Sequence, residues 1–382
     1  MKIAFVSTVL DYPWGGGDAL WTATAEHATA AGDQLWLALT EKAAAHARIA
    51  ALRQRGAKWH QRVDRADTRS GRNRLRSWVQ QLRGHRPLVR ALATAAPDVV
   101  CLCQGGSFDF FVEPDLVEWL IQRRQPTVVI CQANDNAFSL SAADAASAAR
   151  FLTQCAGVVF VSRHNLRLAE RQLGRALPNA VVIQNPTPHA PTAPLAWPTG
   201  TPLRLAAVCR WEKHTKGLDL LLPALRTALG DQPDWRLDLF GRGPDEAWLR
   251  ETVRALGLES RVELTGHRAD IASIWADHHL LLLPSRMEGC SLAMMEALLF
   301  GRPVAATPVG GVDEWVQDGV SGFIARDFTV DAIADALHRA WAARDRWAAM
   351  GAAAAQHAHQ LLDPQPAQKL HALLARAAGA RV

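Results

Sequence analysis

Short apolar runs alternate with helix-period segments along almost the whole chain. That alternation is broken once, by six prolines in the 17 residues from Pro186 to Pro202. Residues 3–9, 34–39, 99–103, 127–131, 158–162 and 181–184 read as strands, and after the prolines so do 203–209, 236–240, 261–265, 280–283 and 303–306. Between them apolar residues fall three and four apart, as at Leu116, Trp119 and Leu120. Apolar strands separated by helices are the sequence form of a parallel sheet covered on both faces. Two such sets predict an α/β protein of two doubly wound, Rossmann-like domains.

A proline-rich stretch of this kind holds neither a helix nor a central strand, so it predicts an extended linker. The expected layout is an N-terminal domain over 1–185, a linker over 186–202, a C-terminal domain over 203–362, and a terminal helix over 363–382 that packs back on the first domain. At 382 residues and 49% hydrophobic composition each domain can bury a full core. No uncharged apolar run approaches the ~18 residues that a spanning helix needs. The opening apolar run meets Asp11 without a convincing cleavage site and reads as a first strand rather than a signal peptide. Cys101, Cys103, Cys131, Cys155, Cys209 and Cys290 sit mostly in apolar runs without metal or redox spacing, which predicts buried free thiols and a cytoplasmic setting.

The net charge of +5 is unevenly spread. Residues 53–90 carry eleven Arg and one Lys against Asp64 and Asp67, a net +10, so the remainder sums to −5. Within this stretch Leu75, Trp78, Val79 and Leu82 fall on one helical stripe, with Arg74, Arg76 and Arg83 on other faces. Such a segment is either a solvated helix packed on its own domain or a surface that docks peripherally on anionic membrane or on a negatively charged acceptor. No recognised nucleic-acid motif accompanies the charge, and nucleic acid is not expected as a partner.

Open α/β sheets bind ligands beyond the carboxyl ends of their strands. Four such loops carry candidate chemistry. After the first strand come Gly15, Gly16, Gly17 and Asp18 ahead of a helix, where glycine lets backbone amides approach an anion. After the strand at 203–209, Arg210 precedes a polar loop and Lys216-Gly217 opens a helix; two fixed cations there would neutralise a diphosphate, with Lys213 the competitor to Lys216. After the strand at 280–283, Glu288 and Glu296 form an E-x7-E pair, one carboxylate in a loop and the other on a helix that Ser291 can cap. Glu251 and Glu259 share the spacing but flank a helix end and read as solvated. Free amides at Gly289, Cys290, Ser291 and Leu292 would point at the same space as the first pair. After the strand at 303–306, Gly310 and Gly311 suit a tight turn.

Taken together, these residues resemble the GT-B-fold retaining glycosyltransferases of family four. The match runs through Arg210…Lys216-Gly217, Phe240-Gly241-Arg242-Gly243, Thr265-Gly266-His267, Pro284-Ser285…Glu288…Glu296-Ala297, Gly301-Arg302-Pro303, Gly310-Gly311…Glu314 and Asp318-Gly319. The first half matches more loosely, through Gly15–Gly17 and Pro97-Asp98-Val99-Val100. The resemblance implies two domains facing across a cleft and transfer of a hexose from a nucleotide-diphosphate sugar to a glycan, lipid-linked or small-molecule acceptor. Arg210 and Lys216 would bind the diphosphate, Glu288 the sugar hydroxyls, and Glu296 the ribose. Residues 289–292 would assist at the diphosphate and sugar, Gly266 and His267 would lie by the base, and Gly16 and Gly17 would close over the diphosphate.

No metal or other cofactor is expected, because the sequence has no D-x-D and positive charge is available for the leaving group. The family often carries histidines where this chain has Gln104 and the 132–135 stretch, so Gln104 and Asn134 stand as the candidate acceptor contacts. The usual Asn-Gly before the linker is Asn185-Pro186 here. A nucleotide-sugar epimerase or hydrolase would use a similar cleft without an acceptor. A polyanion-binding module acting through 53–90 would use none of it.

Overall fold

The computed structural model describes residues 1–10, 14–62, 86–187 and 189–379. The chain divides into two compact units, one formed by Met1–Pro186 with Asp363–Val382 and the other by Thr187–Leu362. The helical stripe read at 74–83 lies outside the described residues.

The first unit is built on parallel strands β1 (Lys2–Ser7), β2 (Gln34–Thr40), β3 (Lys58–Arg62), β4 (Val99–Gly106), β5 (Thr127–Asp135), β6 (Gly157–Phe160) and β7 (Ala180–Val182), in the order β3-β2-β1-β4-β5-β6-β7. The order reverses direction between β1 and β4, which pair in parallel from Ile3 opposite Val99 to Ser7 opposite Cys103. Gly15–Gly17 and Gln104 therefore arise at a topological switch point, where an open α/β sheet leaves a crevice. The first strand ends at Ser7 rather than Val9 because Val9 N donates to Ser7 Oγ at 3.1 Å and turns the chain. β3 is absent from the sequence reading: Lys58-Trp59-His60-Gln61-Arg62 is polar, as suits a sheet edge.

Strand β3 also changes the picture of the basic segment. The Arg62 side chain is buried, paired with the buried Glu113 and donating to the Ser7 carbonyl, while Arg53 lies over the Trp59 ring at 4.5 Å. Arg62 therefore belongs to no exposed cationic face. An ion pair so deeply buried costs desolvation and stabilises only while both partners remain, so loss of either leaves an uncompensated charge.

The C-terminal helix Pro366–Ala377 packs on the Ala19–Ala30 helix of the same unit. His371 Nε2 lies 2.6 Å from Asp33 Oδ2, and Asp363 N donates to Gln184 Oε1 at 2.8 Å.

The second unit holds β8 (Leu203–Val208), β9 (Trp235–Phe240), β10 (Val262–Gly266), β11 (Leu280–Leu283), β13 (Val304–Ala306) and β14 (Gly322–Ile324), in the order β10-β9-β8-β11-β13-β14. A two-residue strand, β12 (Met287–Glu288), lies outside that order. Here the switch point falls between β8 and β11, which brings the Arg210–Lys216 loop and the Pro284–Glu288 loop side by side. Trp211, Trp235, Trp275 and Trp347 are each at most 2% exposed. Burying one such ring is worth ~4–6 kcal/mol of transfer free energy before ordering entropy is subtracted.

The proline-rich stretch has no helix or strand among its described residues, yet it is docked rather than loose. The buried Arg302 guanidinium donates to the carbonyls of Leu195, Ala196, Phe300, Gly301 and Trp275, and Trp197 lies 5.3 Å over it. Burial without a carboxylate partner pushes the Arg302 pKa down to about 10.

Candidate active site

The loop after β8 is locked by its neighbour after β9. Trp211 N donates to Arg242 O at 3.0 Å, and Trp211 O accepts from Asp245 N at 3.2 Å. A Cβ on Gly243 would sit 2.1 Å from Trp211 O, so only glycine permits this approach. Arg210 is exposed beside the buried Trp211. The two candidate lysines then part company. Lys213 N donates to Asp245 Oδ2 at 2.8 Å and its ammonium lies 5.1 Å over the Trp248 ring, whereas Lys216 Nζ reaches Glu288 Oε1 at 2.6 Å. Gly217 makes this possible, because its φ of +64° turns the loop into the Leu218–Leu229 helix and a Cβ there would lie 1.9 Å from Pro284 O.

The loop after β11 fixes Glu288 from several sides. Ser285 is fully buried and donates through Oγ to Glu288 Oε1 at 2.9 Å, while its carbonyl accepts from Thr307 Oγ1 at 2.5 Å. Arg286 N donates to Thr215 O at 2.9 Å. The Arg286 guanidinium grips both Asp219 oxygens at 2.6 and 2.8 Å, a bidentate pair that also takes His214 O at 2.8 Å. The two loops thus form one rigid piece with Lys216 and Glu288 at its centre, their side chains 22% and 12% exposed.

Beyond Glu288, Gly311 N donates to Gly289 O at 3.0 Å, and Gly310, at φ +54°, approaches so closely that a Cβ would lie 2.3 Å from that carbonyl. Ser291 Oγ accepts from Met294 N and caps the Leu292–Leu299 helix. A cap of this kind is worth ~1 kcal/mol and aligns the helix start, where positive potential collects. Glu296, on this helix, is 6% exposed, and no described residue pairs with its carboxylate. Burial therefore raises its pKa to about 7. Burial also pushes the Cys209 thiol up to about 12 and the Cys290 thiol well up, so neither is a nucleophile at neutral pH. On the far side of β9, Gly241 N donates to Gly266 O at 2.9 Å, Gly266 takes φ +87°, and His267 is exposed.

In the first unit the glycine loop is held by a side chain. Asp18 Oδ2 accepts from Gly15 N and Oδ1 from Trp21 Nε1, both at 2.9 Å, and burial raises the Asp18 pKa. Trp14 stacks on His46 with centroids 3.6 Å apart. Gly17 lies against Gln132, whose Cγ would be 3.3 Å from an added Cβ. Gln104 and Asn134 are both buried, and their amides are committed within the unit. Gln104 Oε1 accepts from Phe110 N at 2.6 Å and its Nε2 faces Ser107 O at 3.4 Å; Asn134 Nδ2 donates to Gln172 Oε1 at 2.8 Å. Gln104, inside β4, orders the turn that follows it, and Asn134, inside β5, ties that strand to the Arg163–Leu173 helix.

Residues 202–343 match the family described as glycosyl transferases group 1. The second unit is a group 1 glycosyltransferase domain. The chain is 34% identical over 147 residues to a lipopolysaccharide core biosynthesis mannosyltransferase, LpsB, of Rhizobium meliloti, covering 37% of this chain and 42% of that protein. An exopolysaccharide phosphotransferase of Streptomyces coelicolor is 33% identical over 187 residues, 48% of this chain and 19% of that protein. The chain thus spans less than half the length of these relatives. Among solved structures, Anabaena HepE in complex with UDP superposes with a TM-score of 0.70 at 20% identity, over 98% of this chain and 100% of that one. The lipopolysaccharide outer core galactosyltransferase WaaB superposes with a TM-score of 0.66 at 16% identity, over 98% and 99%. The fold is GT-B.

Sequence reasoning located Lys216, Glu288 and Glu296 in this glycosyltransferase domain but not the residues that hold them. Ser285 stood in the matched motif without a role, and Thr307 and the Arg286–Asp219 pair were given none. The available signal was Asp219 in the first turn of a helix and an arginine two residues before Glu288. Asp18 was read only as part of a loop.

Proposed function

We propose that this chain is a retaining glycosyltransferase that moves a hexose from a nucleotide-diphosphate sugar to a glycan, lipid-linked or small-molecule acceptor without a metal ion. The observation that carries the reading is the Lys216–Glu288 pair, 2.6 Å long and braced by Ser285, at the switch point beside the capped helix that carries Glu296. A departing nucleoside diphosphate gains negative charge at its bridging phosphate. Lys216, Arg210 and the amides of 289–292 oppose that charge, and one such donor is typically worth about 10²–10³ in rate. As the diphosphate draws Lys216 away, the Glu288 carboxylate is released to accept from sugar hydroxyls. Glu296 lies deeper on the helix, where a ribose hydroxyl would satisfy a carboxyl that is otherwise buried alone.

In the front-face course that the family resemblance implies, the bond from the anomeric carbon to the phosphate oxygen breaks while the acceptor oxygen bonds on the same face. The acceptor proton passes to the departing phosphate oxygen. The cationic side chains supply the charge compensation that a metal provides elsewhere. The relatives named for mannosyl transfer and lipopolysaccharide assembly, and the neighbour crystallised with UDP, favour a nucleotide sugar and a glycan acceptor as the classes to try first.

The test is a panel of nucleotide sugars offered with and without glycan acceptors in chelator. Acceptor-dependent release of nucleoside diphosphate with an unchanged anomeric configuration is the expected result. Isomerisation or hydrolysis without an acceptor would favour the epimerase or hydrolase reading, and a requirement for added metal would overturn the proposed charge compensation.

A further inference from the structure

The first unit carries a second basic surface, away from 53–90. The helix Arg163–Leu173 presents Arg163, Arg167 and Arg171 at every fourth residue, and Arg175 continues the series past its end. All four are exposed, and among the described residues none has an ion-pair partner. Glu170, the one acid between 163 and 178, is committed: its Oε1 accepts from Leu177 N at 2.9 Å.

Like charges four apart on a helix repel, and Arg163 in the first turn opposes the helix dipole. The dipole favours only the C-terminal end of the series, at Arg171, so helix stability gives Arg163 and Arg167 no support.

Apolar surface adjoins the stripe. An open groove of about 510 Å³ is lined by Ala142, Ala145, Ala146 and Ala149 on one side and by Leu173, Gly174 and Arg175 on the other. Phe138 is 44% exposed, and its carbonyl accepts from Gln172 Nε2 at 2.9 Å, which fastens its loop to the last turn of the arginine helix.

We propose that this face docks on an anionic phospholipid bilayer. The arginines, stepping about 6 Å along the helix, would meet headgroup phosphates, with Phe138 and the alanine groove against the acyl boundary. Guanidinium binds phosphate bidentately, and aromatic rings favour the membrane–water interface. A soluble polyanion would use the arginines and leave the exposed ring and the apolar groove idle, so the combination selects a lipid surface.

The test is flotation of the full chain with vesicles of phosphatidylcholine alone and with 30% phosphatidylglycerol added (about the anionic content that makes basic surfaces bind). Wild type should float with the anionic vesicles only. Arg163→Gln/Arg167→Gln/Arg171→Gln should lower partitioning at least about tenfold, while the matching Lys variant retains most of it. Unchanged thermal unfolding separates lost docking from lost fold. Equal partitioning to both vesicle types overturns the proposal. So does loss of binding with Arg74→Gln/Arg76→Gln/Arg83→Gln but not with the helix variant. So does binding of soluble polyphosphate through these arginines by a protein that does not float. The readout is independent of transfer, so a failed activity assay leaves it intact.

Discussion

The two glycine loops at the two switch points differ in what holds them. In the second unit, Gly217, Gly243 and Gly310 are required by packing, since an added Cβ would lie 1.9, 2.1 and 2.3 Å from backbone carbonyls of neighbouring loops. Those close approaches weld the loops after β8, β9, β11 and β13 into a frame that fixes Lys216 and Glu288. Among the described residues the first-unit loop is held by the Asp18 carboxylate and the Trp14–His46 stack, and a Cβ on Gly17 would come nearest the Gln132 side chain, at 3.3 Å. Backbone wedged against backbone tolerates no added side chain, whereas contacts made through side chains leave room for one. The first arrangement suits the charge compensation proposed above for a leaving group.

The sharpest way to break this contrast is at the centre of the rigid frame. Glu288→Gln should lower kcat by about 10²–10³ while leaving nucleoside diphosphate binding within a few-fold, since its contact is assigned to the sugar. Lost nucleotide binding with transfer intact, measured by calorimetry beside turnover, would reverse the assignment. Next in size, Lys216→Ala should weaken diphosphate binding by about ten- to a hundredfold and Lys213→Ala by no more than about threefold, because Lys213 is turned onto Trp248. Equal losses in a titration would mean the loop rearranges on binding.

The glycines themselves are tested by chemical denaturation. Gly217→Ala should cost about 2–3 kcal/mol, combining a left-handed φ with a backbone clash, and Gly17→Ala less than about 1 kcal/mol. A larger loss at Gly17 would show the first loop to be as tightly built as the second.

The smallest effect concerns Glu296, whose pKa rises from 4.5 to about 7 on burial. A raised carboxyl pKa leaves stability untouched below the unfolded value. It destabilises increasingly as pH climbs through that window, and by a constant amount above it. Glu296→Gln should therefore stabilise the ligand-free protein at pH 8 by on the order of 1–2 kcal/mol, seen as a higher melting temperature, and do nothing at pH 4. A stabilisation that persists at pH 4 would point to packing instead of charge.

How much was legible follows from the same physics. Apolar strands such as Leu280–Leu283 were read to the residue, because a doubly covered parallel strand is an uninterrupted hydrophobic run. Two edge strands were missed: β3 because it is polar and only partly buried, and β14 because three residues are too few to show a period. Gln104 and Asn134 were singled out as lying beyond strand ends, but β4 and β5 run on to include them; hydrogen bonding, which no local pattern encodes, gives the Gln104 amide to the turn at 107–110 and the Asn134 amide to Gln172 of the Arg163–Leu173 helix. The stretch from Pro186 to Pro202 was read as extended, and it is; that Arg302, a hundred residues on, clasps its carbonyls was invisible in either segment alone.

The sequence by itself determined two parallel α/β units, the break between them near residue 186, and the loops that carry Lys216, Glu288 and Glu296. Periodicity and turn chemistry are local, so each could be read from neighbouring residues. Only the tertiary structure decided that Lys216 and not Lys213 meets Glu288, that Arg62 is buried against Glu113, and that Arg163, Arg167, Arg171 and Arg175 meet no carboxylate among the described residues. Pairing of charges depends on which distant loops a fold brings within a few ångströms, and that distance is set by packing across the whole unit.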